Sequence, residues 1–167
     1  GKSNNKFIYE DDIQKILEYI SGSNRENNTN TPIFTRIKQI CADGDTRKPF
    51  TQLWFLPPNN IGPISKCFKV LMNDDSILKN YVILIINRKQ SKLGKDIKSI
   101  ITCNELYAKK EKKSGVIILA GNMLSLGITL QYCDMVILLN NTLSADKVFQ
   151  QMYRCMTEGN NKKYGFV

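Results

Sequence analysis

GVIILAGNMLSLGITLQYCDMVILLN, residues 115–140, is the longest apolar region of this chain. Its length alone would suit a membrane span. Asn122, Gln131 and Asp134 interrupt it, and Gly115, Gly121 and Gly127 break it further. The pattern predicts instead two buried strands, GVIILAG and DMVILLNN, separated by a loop and a short helix.

The same rhythm extends in both directions. TQLWFL is a short apolar strand. ISKCFKVLMNDD places Ile64, Phe68, Leu71 and Met72 on one helical face. YVILIIN, residues 81–87, is another apolar strand, and GKDIKSIITCNELYAKKEKK is a helix with a basic tail. LSADKVFQQMYRCMTEG predicts a helix capped by Ser144 with Asp146 in its first turn, and KKYGFV begins one more strand. Strands apolar on both faces and alternating with helices imply a parallel sheet covered on both sides. The expected fold class is α/β, a doubly wound parallel sheet in the order β-α-β-α-β-α-β-α-β. In such a sheet ligands gather beyond the carboxyl ends of the strands, here PPNN, NRKQ, AGNMLSLG and NNTLS.

Residues 1–45 are expected to form a helical lead-in and polar loop. YEDDIQKILEYI has Ile13, Ile16, Leu17 and Ile20 on one face and acidic residues in its first turn. SGSNRENNTNT is a loop by composition, and PIFTRIKQICA a second helix with Pro32 at its first turn. The doubly wound domain then occupies residues 46–167. An apolar strand that stops at Val167 predicts a fragment of a longer chain.

The 167 residues are 42 % hydrophobic and 23 % charged, as in ordinary globular domains, but carry a net charge of +9. Such a surplus suits an anionic partner, above all a nucleic-acid backbone. RKQSKLGKDIK, AKKEKK and NKK hold much of it with few aromatics between them, which favours phosphate contact over base stacking. Arg88 and Lys89, just after YVILIIN, are candidates for that contact. The chain has no histidine, which removes Ser-His-Asp and Cys-His catalysis, and its five cysteines form no C-x-x-C pair, so no metal site is expected. Scattered cysteines in apolar surroundings predict reduced, buried thiols in a reducing intracellular compartment.

One constellation carries chemistry. In AGNMLSLGITLQYCDMVILLNNTLSADKVFQQMYRCMTEG, GNMLSLGITL is followed by Asp134-Met135-Val136 and then by Gln150 and Arg154. This order and spacing resemble motifs V and VI of superfamily 2 helicases and translocases, in their second, RecA-like ATPase lobe. Swi/Snf-type remodellers show T-R-A-G-G-L-G-I-N-L, a D-x-V strand and Q-x-x-x-R-x-x-R at the same distances. QMYRCMTE is similar to helicase-like proteins of large DNA viruses. The resemblance covers about residues 50–167, with TQLWFL in the motif IV position.

The resemblance implies ATP as the nucleotide, with Mg²⁺ held by a first, N-terminal lobe, and DNA or RNA as the track. Arg154 would be the arginine finger, because a fixed guanidinium stabilises charge on the transferring phosphoryl group. Gly127, Thr129, Gln150 and Thr157 would line the nucleotide side. Gly121, Asn122 and Met123 would meet the nucleic-acid backbone. Gly121 replaces the family's threonine, and Thr157 replaces its second arginine. On an uninterrupted helix Gln150, Arg154 and Thr157 share one face. Val148, Met152 and Cys155 would then pack on the sheet, with Phe149, Tyr153 and Met156 widening the buried arc. The opening GKS lacks the G-x-x-x-x-G of a phosphate loop, and no D-E-x-x motif is present, so an isolated second lobe is expected to be inactive. The viral likeness implies a virion or a viral factory in the host cytoplasm. A lobe without its second arginine could instead be a non-catalytic nucleic-acid-binding scaffold of a transcription or replication complex. A nucleotide-binding doubly wound enzyme of another kind is the third reading.

Overall fold

The computed structural model describes residues 9–24, 30–86, 96–121, 133–141, 143–157 and 161–167. Its elements, in chain order, are α1 (Glu10–Ser21), α2 (Ile33–Asp43), β1 (Thr51–Phe55), α3 (Ile61–Asp74), β2 (Tyr81–Ile86), α4 (Ile97–Lys110), β3 (Gly115–Ala120), β4 (Cys133–Leu138) and α5 (Ala145–Met152). Local chemistry sets several boundaries. Gly22 ends α1 in the left-handed conformation, its N–H donating to the Glu18 carbonyl at 2.7 Å. Asp96 starts α4 by accepting from the Lys98 N–H and the Ser99 hydroxyl, which hold its carboxyl below the usual range. Ser144 caps α5 as the sequence predicts, accepting from the Lys147 N–H.

The strands form an all-parallel sheet in the order β2-β3-β1-β4. Alternate residues of each strand feed two separate cores. Trp54, Leu56, Ile83, Ile117, Leu119 and Met135 pack beneath α1, α2 and α3. Leu53, Phe55, Ile86, Ile118 and Val136 pack with Ile97 and Ile101 of α4 and with Cys155. The chain order explains this. The step from β1 to β2 runs one way along the sheet, and the step from β2 to β3 runs back. Because parallel crossovers are right-handed, opposite directions put α3 and α4 on opposite faces. Phe166 makes a single parallel bridge beside Met135, where the last strand was expected to begin. Leu17, Ile20, Phe34 and Ile37 of the lead-in helices belong to the first core, so α1 and α2 are packed onto the sheet. Among the described residues no helix is long and apolar enough to cross a membrane.

Gly115 opens β3 at φ +152°, and a Cβ there would lie 2.1 Å from the Phe50 carbonyl oxygen. That oxygen accepts the Val116 N–H at 2.8 Å, so it cannot withdraw without losing a sheet bond. Gly115→Ala should lower unfolding free energy by about 3 kcal/mol in a denaturant titration.

Cys41, Cys67, Cys133 and Cys155 are buried and Cys103 is exposed. Maleimide labelling of the native protein at neutral pH should therefore attach one group rapidly, at Cys103, and the rest only on unfolding. Burial, with Cys155 and Asp134 nearby, pushes the Cys133 thiol from the ordinary value near 9 up to about 12. Between these values the unfolded thiol has lost its proton and the folded one has kept it. This group's contribution is thus complete below pH 9 and falls as pH rises toward 12, by about 1.4 kcal/mol per pH unit. Cys133→Ala should flatten the alkaline side of a stability–pH curve.

Candidate functional site

The carboxyl ends of β1 and β4 stand side by side, joined by the Leu139 N–H donating to the Phe55 carbonyl at 2.9 Å. The connection leaving β1 runs toward β2, whereas that leaving β4 runs the other way, to Phe166. This is the topological switch point of the sheet, where open α/β sheets bind ligands. Asn140 follows β4 here, and α5 begins five residues later.

Helix α5 ends beside the carboxyl end of β4, where the Asn140 side-chain amide donates to Oε1 of Gln151, in the last turn of the helix, at 3.2 Å. Gln151 is 0 % exposed. Past the helix the chain returns to the foot of β4, where the Lys162 ammonium donates to the carbonyls of both Cys133 and Thr157, at 2.8 and 2.7 Å. Thr157 is therefore placed beside the first residue of β4, about seven strand residues or ~20 Å below Asn140.

The predicted trio lies on this segment but not on one continuous helical face. The α-helix stops at Met152 and tightens into a 3-10 turn, Tyr153–Cys155. A 3-10 turn advances 120° per residue in place of 100°, which breaks the i, i+4, i+7 alignment. Gln150 is exposed, while Arg154 and Thr157 are half-buried. The burial of the opposite arc also differs from expectation. Cys155 is fully buried, but Val148 and Met152 are only half so. Phe149, Tyr153 and Met156 are 55 %, 63 % and 64 % exposed, forming an outer apolar stripe instead of widening the buried arc. Gln151 occupies the inward position that those side chains were expected to share.

Arg154 thus stands between two fully buried neighbours in the chain, Gln151 and Cys155. Lys162 is a cation close to Thr157, but its ammonium is engaged by two backbone carbonyls, so it is a brace between the turn and β4. Gly121 directly follows β3 at the carboxyl edge. A Cβ there would meet Ile61 at an ordinary 3.4 Å, so no steric requirement for glycine exists at this position. Gly127, Thr129, Asn122, Met123, Arg88 and Lys89 lie outside the described residues.

At the opposite, amino end of the sheet, Asp134 is the extra residue of a β-bulge: Thr51 aligns with Cys133 and Gln52 with Met135. The bulge turns its carboxylate toward the Arg47 guanidinium and the N–H groups of Phe50 and Thr51, at 2.9 and 3.1 Å. This aspartate, part of the motif-like D-x-V, anchors the entry to β1. Among the described residues two grooves stand out, the second of them lined in part by Met135 and Val136 of the motif-like D-x-V strand. One, of about 310 Å³, includes Glu10, Glu18, Asp74 and Asp75. The other, of about 450 Å³, runs between α2 and the β4 edge past Ile37, Ile40 and Phe166. Among the described residues no group of three or more His, Cys, Asp or Glu is placed to hold a metal ion.

Two contributors escaped the sequence reading. Gln151 was detectable in principle, because Val148, Gln151 and Cys155 recur at i, i+3 and i+7 and one polar residue sits on that stripe. Asn140 had no such signal, since its role depends on a contact eleven residues away. No known family model matches the chain, and no curated protein matches it. The site defines this chain only as an α/β protein with a doubly wound parallel sheet.

Proposed function

We propose that this chain is the second, RecA-like ATPase lobe of a nucleic-acid-dependent helicase or translocase of superfamily 2. In this reading a first lobe of the same polypeptide holds ATP and Mg²⁺, and the bound nucleotide supplies the γ-phosphoryl group. This chain contributes the finger, Arg154, with Gln150, Thr157, Gly127 and Thr129 on the nucleotide side. Gly121, Asn122, Met123, Arg88 and Lys89 meet a DNA or RNA backbone. The resemblance of QMYRCMTE to viral helicase-like proteins supports a reducing intracellular setting for that activity, such as a virion or viral factory in a host cytoplasm.

The observation that carries the reading is the seating of Arg154. The motif spacing singles it out, and it is half-buried between two side chains with no exposed surface, Gln151 and Cys155. A half-buried arginine on a backbone anchored at both sides loses less freedom on meeting a phosphate than one on a free surface helix. The net charge of +9 supports an anionic partner. Steady-state ATP hydrolysis by the intact polypeptide, with and without DNA or RNA, tests the proposal. Turnover stimulated by nucleic acid is expected, and no turnover with any nucleic acid would sink it.

A specific observation favours the scaffold alternative. Thr157 carries no charge, and the nearby Lys162 is tied to the backbone. In that case the intact polypeptide binds nucleic acid without hydrolysing ATP.

A further inference from the structure

The Asn140–Gln151 pair is hard to explain as a device for folding. One hydrogen bond joins the two amides, yet Asn140 Oδ1 and Gln151 Nε2 are buried with no partner among the described residues. An unpaired buried donor and an unpaired buried acceptor each cost stability, and apolar side chains of similar shape would avoid both. Methionine nearly matches glutamine in length and would fill the same space. Stability alone gives no reason for an amide at a position that is 0 % exposed.

A directional bond does supply something that apolar packing here does not. Helix α5 is eight residues long, and its other inward side chains, Val148 and Met152, are only half-buried. Such a short, loosely seated helix has little to fix its roll about its own axis. The bond from Asn140, on the strand end, to Gln151, in the helix, fixes that roll against the rigid sheet. Arg154 follows three residues later, in the turn whose far side is pinned by Cys155. The two anchors bracket the arginine.

We propose that Asn140 and Gln151 are positioning residues, and that their amide bond sets where Arg154 stands relative to the carboxyl edge of the sheet. This inference rests on the reading of Arg154 as the finger. It predicts a cost in turnover that persists in the double variant, where folding carries none, because a small misplacement of a group acting only in the transition state lowers kcat steeply.

The experiment is a double-mutant cycle in the intact polypeptide, measuring ATP turnover, KM for ATP and the melting temperature. Gln151→Met and Asn140→Leu should each lower kcat by about 10- to 100-fold with little change in KM. Each single variant strands the surviving amide and should melt about 2–5 °C below the parent, whereas the double variant, which removes both amides, should melt at or above it. The double variant should be no slower than either single variant, since each change already breaks the shared bond. Losses that multiply would overturn the proposal, as would a double variant that melts below both single variants. Arg154→Ala, run alongside, separates the two levels. If it is slow while Gln151→Met turns over normally, the positioning role fails and the finger stands. If it is as fast as the parent, the finger reading itself fails.

Discussion

Arg154→Ala in the intact polypeptide is expected to reduce ATP turnover by about 10³-fold or more, with nucleic-acid affinity nearly unchanged. The expectation follows from where charge develops. Transfer of the γ-phosphoryl group to water spreads negative charge over its oxygens, and catalysis depends on groups already aimed at that charge. Position 157 is a threonine, and the Lys162 ammonium is bound to two carbonyls, so neither position supplies a second cation beside Arg154. If Arg154 is the proposed finger, the burden falls on it, so its removal should cost the full effect and not a share of it. Arg154→Lys keeps a point charge but loses the planar fork, and should recover only part of the rate. Thr157→Arg is the converse change. If the site lacks a second cation, it should hold or raise kcat. Unchanged turnover in Arg154→Ala would remove the arginine from the mechanism.

The sheet was legible because its signals are local and repeated. GVIILAG and YVILIIN are apolar at consecutive positions, and only strands covered on both faces require that. Trp54 and Leu56 enter one core while Leu53 and Phe55 enter the other, as a period of two demands. Ser144 and Gly22 announce a helix start and a helix end through their own backbone chemistry. The site was less legible. A helical projection assumes 100° per residue throughout, and the chain abandons that after Met152. Phe149, inside the regular helix, and Tyr153 and Met156 beyond it all face outward although hydrophobicity alone assigns them inward. Gln151 goes inward because Asn140 offers it a partner, and a bond between a strand end and a helix face leaves no periodic trace. The same is true of Arg47 and Asp134, which meet across 87 positions of sequence.

That ion pair carries the largest stability effect expected of a single substitution in this chain. Asp134→Ala should cost about 3–5 kcal/mol, a large part of the ~5–15 kcal/mol that holds a typical domain together. The Asp134 side chain is only 4 % exposed, and three donors converge on it: the Arg47 guanidinium and the N–H groups of Phe50 and Thr51. Removing the carboxylate strands all three where little water can replace it. Two of them belong to the backbone entering β1, the central strand to which β3 and β4 both pair. The damage should therefore reach the middle of the sheet. The two members of the pair should respond unequally. The Arg47 side chain is 30 % exposed and remains partly hydrated once its partner is gone. Conversely, Arg47→Ala leaves Asp134 with its two backbone donors, so it should cost less than half as much. Asp134→Asn retains an acceptor oxygen and should fall between them. Thermal melts of the three variants check the order, with a fall of about 10 °C or more for Asp134→Ala. A melting temperature within about 2 °C of the parent would show that the bulge at Asp134 does not hold the entry to β1 in place.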